Sequence, residues 1–368
     1  MYLTASNLVF HLISRGIITS TSVVKGDFVL VEVGRRNRNF KIIRNLQPSF
    51  FVKQIKTSDM SATSTLQREA NFYKTLSQNP LVAPLKKLVP EFVDYDPTRY
   101  ALVINLLSNA ESIAEYQRRT GDLGTSLAAD LGRTLGACHS QLINVMNDPA
   151  AFSPLLQGEV PWIMQMENTG HTVLNMLGGI GPQLAKAIQQ YPNLQPMLSA
   201  LRPGWQYDSL IHGDPKLENW MVLGNGNGKV DLKLIDWELV DIGDGAWDVA
   251  MMFKEWLVLW LLSQPDTSNQ VPHEFAPATT RALTDVQPAI RTFWESYVST
   301  RQLPRHTAAA YLHRCTRYTA ARLIVAVVEY FFPLPQLNSH AMSMLMLSAT
   351  MLQNPEKATA ELLGFAPQ

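Results

Sequence analysis

A chain of 368 residues that is 46% hydrophobic and 17% charged is long enough for two domains with proper cores, and that composition excludes disorder over any long stretch. The formal net charge is zero but unevenly placed: residues 1–105 hold 14 Lys+Arg against 7 Asp+Glu, leaving 17 against 24 for the remainder. Two cysteines, Cys138 and Cys315, are too few and too far apart in sequence for a disulfide framework or a thiolate metal site; both are expected to be buried and reduced, which fits a cytoplasmic location.

The start, Met1 to Ser6, lacks a charged region before an apolar run and predicts no signal peptide. Leu8, Val9, Leu12, Ile13 and Ile17 recur at helical spacing and predict a short leading helix over residues 5–20. From Asp27 the period changes to that of strands, expected over 28–33, 40–43 and 50–55 as an antiparallel meander. Within the third strand Lys53 shares a face with Phe51, where an inward lysine is costly unless paired. A helix is expected over 66–76, with Glu69 in it, and two further strands over 89–95 and 100–105.

Beyond about residue 107 the pattern is helical. The small and apolar residues of 127–139 predict a closely packed helix, and residues 140–209 hold helical stretches broken at Pro154, Pro161 and 178–182. The apolar window Val249 to Leu262 includes Lys254 and Glu255 and spans only 14 residues, short of the roughly 20 that a membrane helix needs. It is expected to be a buried helix. Further helices are expected at 290–297, 320–332 and 342–352, the last with Met342, Met344, Met346 and Met351 as core filler.

The chemistry concentrates between the helical stretches. Leu210-Ile211-His212-Gly213-Asp214 brings a carboxylate to a strand end and Asn219 follows; Leu234-Ile235-Asp236-Trp237-Glu238 brings a second carboxylate. Between them, Trp220 to Leu223 and Val230 to Ile235 flank a turn at 224–228, a hairpin that returns Asp236 to the end where Asn219 lies. A lone His-x-Asp carries no information. The order and spacing of His212-Gly213-Asp214, Asn219, Ile235-Asp236-Trp237-Glu238 and Gly243-Asp244-Gly245-Ala246-Trp247-Asp248 together are specific, and they resemble the aminoglycoside phosphotransferase and choline kinase branch of the protein-kinase-like proteins.

That resemblance implies an α+β, two-lobed protein-kinase-like fold: a small antiparallel-sheet N-lobe over residues 1–107 and a larger, mainly helical C-lobe over 108–368. It implies ATP and Mg²⁺ as cofactors and a hydroxyl acceptor, either a small molecule or a peptide. Asp214 would orient the acceptor proton, Lys216 would reach the γ-phosphate, and Asn219 and Asp236 would ligate the metal with hard oxygens. Asp241 and Asp244 are second choices for the metal. Lys53 would hold the α- and β-phosphates and Glu69 would position it, with Lys56 in reserve for Lys53 and a surface ion pair as the other reading of Glu69. The Gly34 to Asn39 connection would cover the phosphates. It has one glycine and no Gly-x-Gly-x-x-Gly, so Arg35, Arg36 and Arg38 would supply the rest of the grip; a merely basic hairpin tip is the competing reading.

Asn105 and Leu107 would open the hinge that meets the adenine edge. His139 is expected in the core, His212 as an organiser of its loop, and Asp248 as an anchor at a helix start, where the dipole favours a carboxylate. The insert 140–209 would help to form the acceptor pocket, with Glu159, Glu167 and His171 available to line it. The charge split suits polyphosphate on one side and a metal or cationic acceptor on the other, although a solvated surface gives the same counts. Lysine two residues after the base is unusual in the antibiotic and choline kinases, and it keeps open a Ser/Thr peptide kinase of the kind found in lanthipeptide-type biosynthesis. An inactive scaffold is disfavoured, because Lys53, Asp214, Asn219 and Asp236 are all present. No basic stripe with interleaved aromatics lies outside 34–39, which argues against nucleic acid, and no membrane association is expected.

Overall fold

Alternation along the first strands builds a five-stranded antiparallel sheet in the computed structural model: β1 (Phe28–Glu32), β2 (Arg38–Arg44), β3 (Phe50–Gln54), β4 (Phe92–Asp96) and β5 (Ala101–Asn105), in the order β1-β2-β3-β5-β4. The structure describes all residues except 1, 35–37, 46, 56–59, 122–123, 153–155, 168–171, 175–178, 192, 225–229, 266–279, 332–335 and 367–368. Arg35, Arg36, Asn37, Lys56, Pro154, His171, Gly178 and the turn residues 225–228 therefore lie outside the described residues.

The chain forms two compact units. The first comprises 1–113, 143–156 and 218–240; the second comprises 114–142, 157–217 and 241–368. Residues 218–240, which carry Asn219 and Asp236, thus fold with the N-terminal sheet, although they lie far beyond residue 107 in sequence.

In the first unit one face of the sheet (Phe28, Leu30, Phe40, Ile42, Phe50, Val52, Ala101, Val103) packs against Leu8 and Leu12 of helix α1 (Ala5–Ser14). The other face carries Lys53 next to helix α2 (Met60–Gln78). Its buried residues Leu66, Glu69, Ala70, Phe72, Tyr73 and Leu76 form one stripe at helical spacing. A second, three-stranded sheet pairs β6 (Ala110–Ser112) with β8 (Trp220–Gly224), and β8 with β9 (Val230–Leu234).

The second unit is helical around a two-stranded ribbon of β7 (Ser209–Ile211) and β10 (Asp241–Gly243). Its main helices are α3 (Thr125–His139), α4 (Gly245–Ser263), α5 (Leu283–Arg301), α6 (Arg305–Phe331) and α7 (Ser339–Gln353). Helix α4 is apolar nearly all round and buried nearly all round. The small residues of α3 admit α5 at very close range: a Cβ on Gly132 would stand 2.2 Å from the Phe293 carbonyl oxygen. In α7, Met344 and Met351 are buried as expected, but Met346 is 57% exposed because it falls off the buried stripe. Both cysteines are buried free thiols.

Candidate functional site

The candidate residues fall into two groups, one in each unit. In the first unit the extended period of β3 turns Lys53 away from the α1 core, toward α2. Its ammonium lies 2.7 Å from Glu69 Oε2, is hydrogen-bonded to Asp236 Oδ1, and stands 3.8 Å from Glu238 Oε2. Burial alone would lower the Lys53 pKa, but Glu69, Asp236 and Glu238 outweigh it and raise it, so the lysine is firmly cationic. Three carboxylates share one ammonium. Glu69, the most buried of them, is correspondingly pushed up to about 7 by burial and by Asp236, against the pull of Lys53.

Asp236 presents its carboxylate from a left-handed backbone (φ 68°, ψ 52°), the turn that ends β9. Trp237 fixes that turn: its indole Nε1 donates to the Leu234 carbonyl at 2.9 Å, and its ring stacks on Phe72 of α2 at 4.7 Å. The same helix therefore supplies Glu69 to the lysine and Phe72 to the turn. Asn219 is buried, and its carbonyl accepts from the Ile235 amide at 2.9 Å, so β8 and β9 bring Asn219 and Asp236 to one end of the hairpin.

This donor set fits Mg²⁺. It offers a carboxylate and an amide oxygen, and among the described residues no group of three His, Cys, Asp or Glu could enclose an ion. An ion that keeps waters and phosphate oxygens needs only one or two protein ligands.

Strand register places the side chains of two of the expected nucleotide residues on the face away from Lys53. Arg38 lies on the α1 face, opposite Lys53; its Nη1 donates to the Leu3 carbonyl at 2.9 Å and its guanidinium lies over Tyr2. Asn105 is also on that face. Its amide donates to the Glu91 carbonyl and its side-chain Nδ2 to the Glu91 carboxylate. Leu107 follows the strand and accepts from the Ala110 amide, and Gly34 is exposed just past β1. The face that does carry Lys53 includes Asn39, its cross-strand partner, and the exposed apolar residues Val29, Val31 and Ile43. Asn39 ends the Gly34 to Asn39 connection that sequence reasoning set over the phosphates; Val29, Val31, Ile43 and Glu238 were given no role there. Alternation pointed to the valines, and the two-residue spacing from Asp236 pointed to the glutamate.

In the second unit, β7 runs into the loop of Asp214. Asp248, in the first turn of α4, accepts the amides of His212 (2.7 Å) and Gly213 (3.0 Å) and a hydrogen bond from His139 Nε2 (3.2 Å). Burial would raise its pKa, but His139, His212 and Arg322 hold it below the usual carboxylate value. Arg322 of α6 donates to the Gly213 carbonyl at 2.6 Å and lies over the Trp247 ring. His212 Nδ1 accepts the Asp214 amide at 3.2 Å, and Lys216 Nζ lies 2.8 Å from Asp214 Oδ2. The Asp214 carboxyl is pushed up to about 6 by burial and by Glu329, against Lys216 and Arg322.

Asp241 and Asp244 do other work than binding metal. Asp241 takes the amides of Gln157, Gly158 and Glu159, while Asp244 caps α4 through the Ala246 amide and pairs with Arg314 and Tyr318. Short carboxylates beside turns find backbone donors first. Of the residues expected to line the acceptor pocket, Glu159 and Glu167 are both exposed.

The described residues include no helix long and apolar enough to cross a membrane. No curated protein matches the chain in sequence. Among solved structures it is similar to an ethanolamine kinase of Plasmodium vivax, at 10% identity over 96% of this chain and 89% of that one, with a TM-score of 0.57. It is similar also to wild-type aminoglycoside 2'-phosphotransferase-IIIa in complex with GDP, at 12% identity over 95% and 98%, TM-score 0.54. The APH(2")-IIa ternary complex with streptomycin and ATP matches at 14% identity over 94% and 99%, TM-score 0.52. At these identities the likeness is one of fold, the protein-kinase-like α+β fold with its five-stranded antiparallel sheet. The model of the phosphotransferase enzyme family matches residues 27–283, and the chain belongs to that family.

Proposed function

We propose that this phosphotransferase moves the γ-phosphate of ATP, with Mg²⁺, to a hydroxyl of a small-molecule acceptor. The observation that carries the reading is the Lys53 ammonium held between Glu69 and Asp236, with Asn219 at the same end of the hairpin as Asp236. A cation fixed in this way matches what the α- and β-phosphates require, and Asn219 and Asp236 would hold Mg²⁺. The ion, when bound, would neutralise phosphate charge. Asp214, with its carboxyl raised toward neutral pH, would accept the acceptor's proton, while the bonds from Asp248, His212 and Arg322 hold its loop. The ethanolamine kinase and aminoglycoside phosphotransferase that share the fold favour a small acceptor over a protein.

The test is titration calorimetry with Mg-ATP, followed by turnover on aminoglycosides, aminoalcohols, sugars and Ser/Thr peptides. Asp236→Ala is expected to abolish Mg-dependent nucleotide binding, whereas Asp214→Ala keeps binding and loses turnover by roughly a hundredfold or more. Equal loss of binding in both variants overturns the assignment of roles. A peptide acceptor is the second reading, and the Lys216–Asp214 ion pair favours it, since it sets a lysine beside the base. Robust peptide turnover that collapses in Lys216→Ala would establish it; turnover confined to aminoglycosides or aminoalcohols would exclude it.

A further inference from the structure

Helix α4 carries two buried carboxylates, Asp248 and Glu255, seven residues apart and therefore about two turns apart on one side of the helix. Asp248 holds the start of the Asp214 loop through the amides of His212 and Gly213. Glu255 holds its end, because Glu255 Oε2 accepts the Leu217 amide at 3.2 Å. Asp214 lies between the two attachments. Glu255 is only 2% exposed, and the adjacent Lys254, itself fully buried, donates to its Oε1. The same ammonium reaches Glu329 Oε2 of α6 at 3.4 Å and lies 5.6 Å from the centre of the Tyr330 ring.

The rest of α4 is packed with apolar side chains, and an apolar pair at 254 and 255 would suit that environment at least as well. Buried ion pairs add little net stability over apolar residues of their size. What leucine could not supply is the acceptor for Leu217. We propose that Glu255, oriented by Lys254, is a positioning residue that clamps the C-terminal end of the catalytic loop and so fixes Asp214. The proposal rests on the reading of Asp214 as the base.

The test compares Glu255→Leu, Glu255→Gln and Lys254→Met in the full chain. Amide exchange by mass spectrometry is followed in peptides covering 210–219, alongside Mg-ATP affinity and kcat and KM on the acceptor found by the screen above. In Glu255→Leu, exchange in the loop is expected to rise about tenfold or more while α5 and α6 stay protected. Turnover should fall about a hundredfold with KM for ATP held within about twofold. Glu255→Gln keeps an oxygen for the Leu217 amide and should fall between it and wild type in both measures, which also covers the case where Glu255→Leu fails to fold. Lys254→Met leaves Glu255 unoriented and should loosen the same peptide. Unchanged loop exchange in all three overturns the proposal, and so does exchange that rises uniformly over every helix. If the wild type transfers no phosphate to any acceptor, the kinase reading falls and loop exchange alone decides the clamp.

Discussion

As the proposed base, Asp214 would tie pH to turnover. Burial and Glu329 push its carboxyl up to about 6, above the ordinary aspartate value, and a base must be ionised to accept a proton. The kcat/KM profile is therefore expected to fall on the acid side below about pH 6. Lys216→Met removes a charge that favours the ionised form, so the acid limb should move to higher pH; a limb that stays in place assigns the titration to another group. At Lys53 the sign is set by crowding. Lys53→Met leaves Glu69, already raised by burial, without the cation that lowers it, so its folded-state pKa rises further above the unfolded one and protonation stabilises the fold. The melting deficit of this variant against wild type should shrink as pH falls from about 8 to about 5, and a constant deficit in calorimetry would contradict the cluster. Lys53, Glu69 and Asp236 were legible because each sits in a patterned run. The faces taken by Arg38 and Asn105 were not legible, because the face on which a strand residue points depends on its cross-strand register, here Arg38 with Gln54 and Phe50 with Asn105. No single strand contains that information.

Elements show a different division. Helix α4 was readable as buried from its composition alone, yet the jobs of its polar residues were not, since Asp248 and Glu255 bond to amides some thirty-six and thirty-eight residues away. Helix α3 was readable as close-packing from its small residues, but its partner α5 was not. The contact makes a firm prediction: Gly132→Ala drives a methyl into the Phe293 carbonyl and should destabilise by about 1–3 kcal/mol, measured by urea unfolding. Gly204→Ala, where a Cβ meets nothing within 4 Å, is the control and should fall within about 0.5 kcal/mol of wild type. Similar losses at both positions would mean that helix contact is not the cause. Helix α2 holds Glu69 on one turn and Phe72 on the next, which ties the lysine to the Asp236 turn through a single rigid body.

Taken whole, the molecule redistributes the charge that the sequence seemed to segregate. When 218–240 and 143–156 join the N-terminal unit, it holds 16 Lys+Arg against 13 Asp+Glu, and the other unit holds 15 against 18. The split of the linear chain shrinks by more than half because Asp231, Asp236 and Glu238 fold with the sheet. The first unit is also discontinuous, and a fragment of residues 1–107 lacks Trp237 to cover Phe72 and lacks β8 and β9 altogether. Such a fragment is expected to melt without a cooperative transition in circular dichroism while the full chain melts cooperatively; a sharp transition in the fragment would show that the sheet and α1 suffice. The hairpin has one more consequence, for engineering. Strands β8 and β9 converge at Asn219 and Asp236, so the cross-strand pair Gly224 and Val230 is at the far end of the ladder from both proposed oxygen donors. A peptide epitope or fluorescent reporter spliced in between that pair is expected to give a handle on the chain that leaves the proposed ion-binding end untouched.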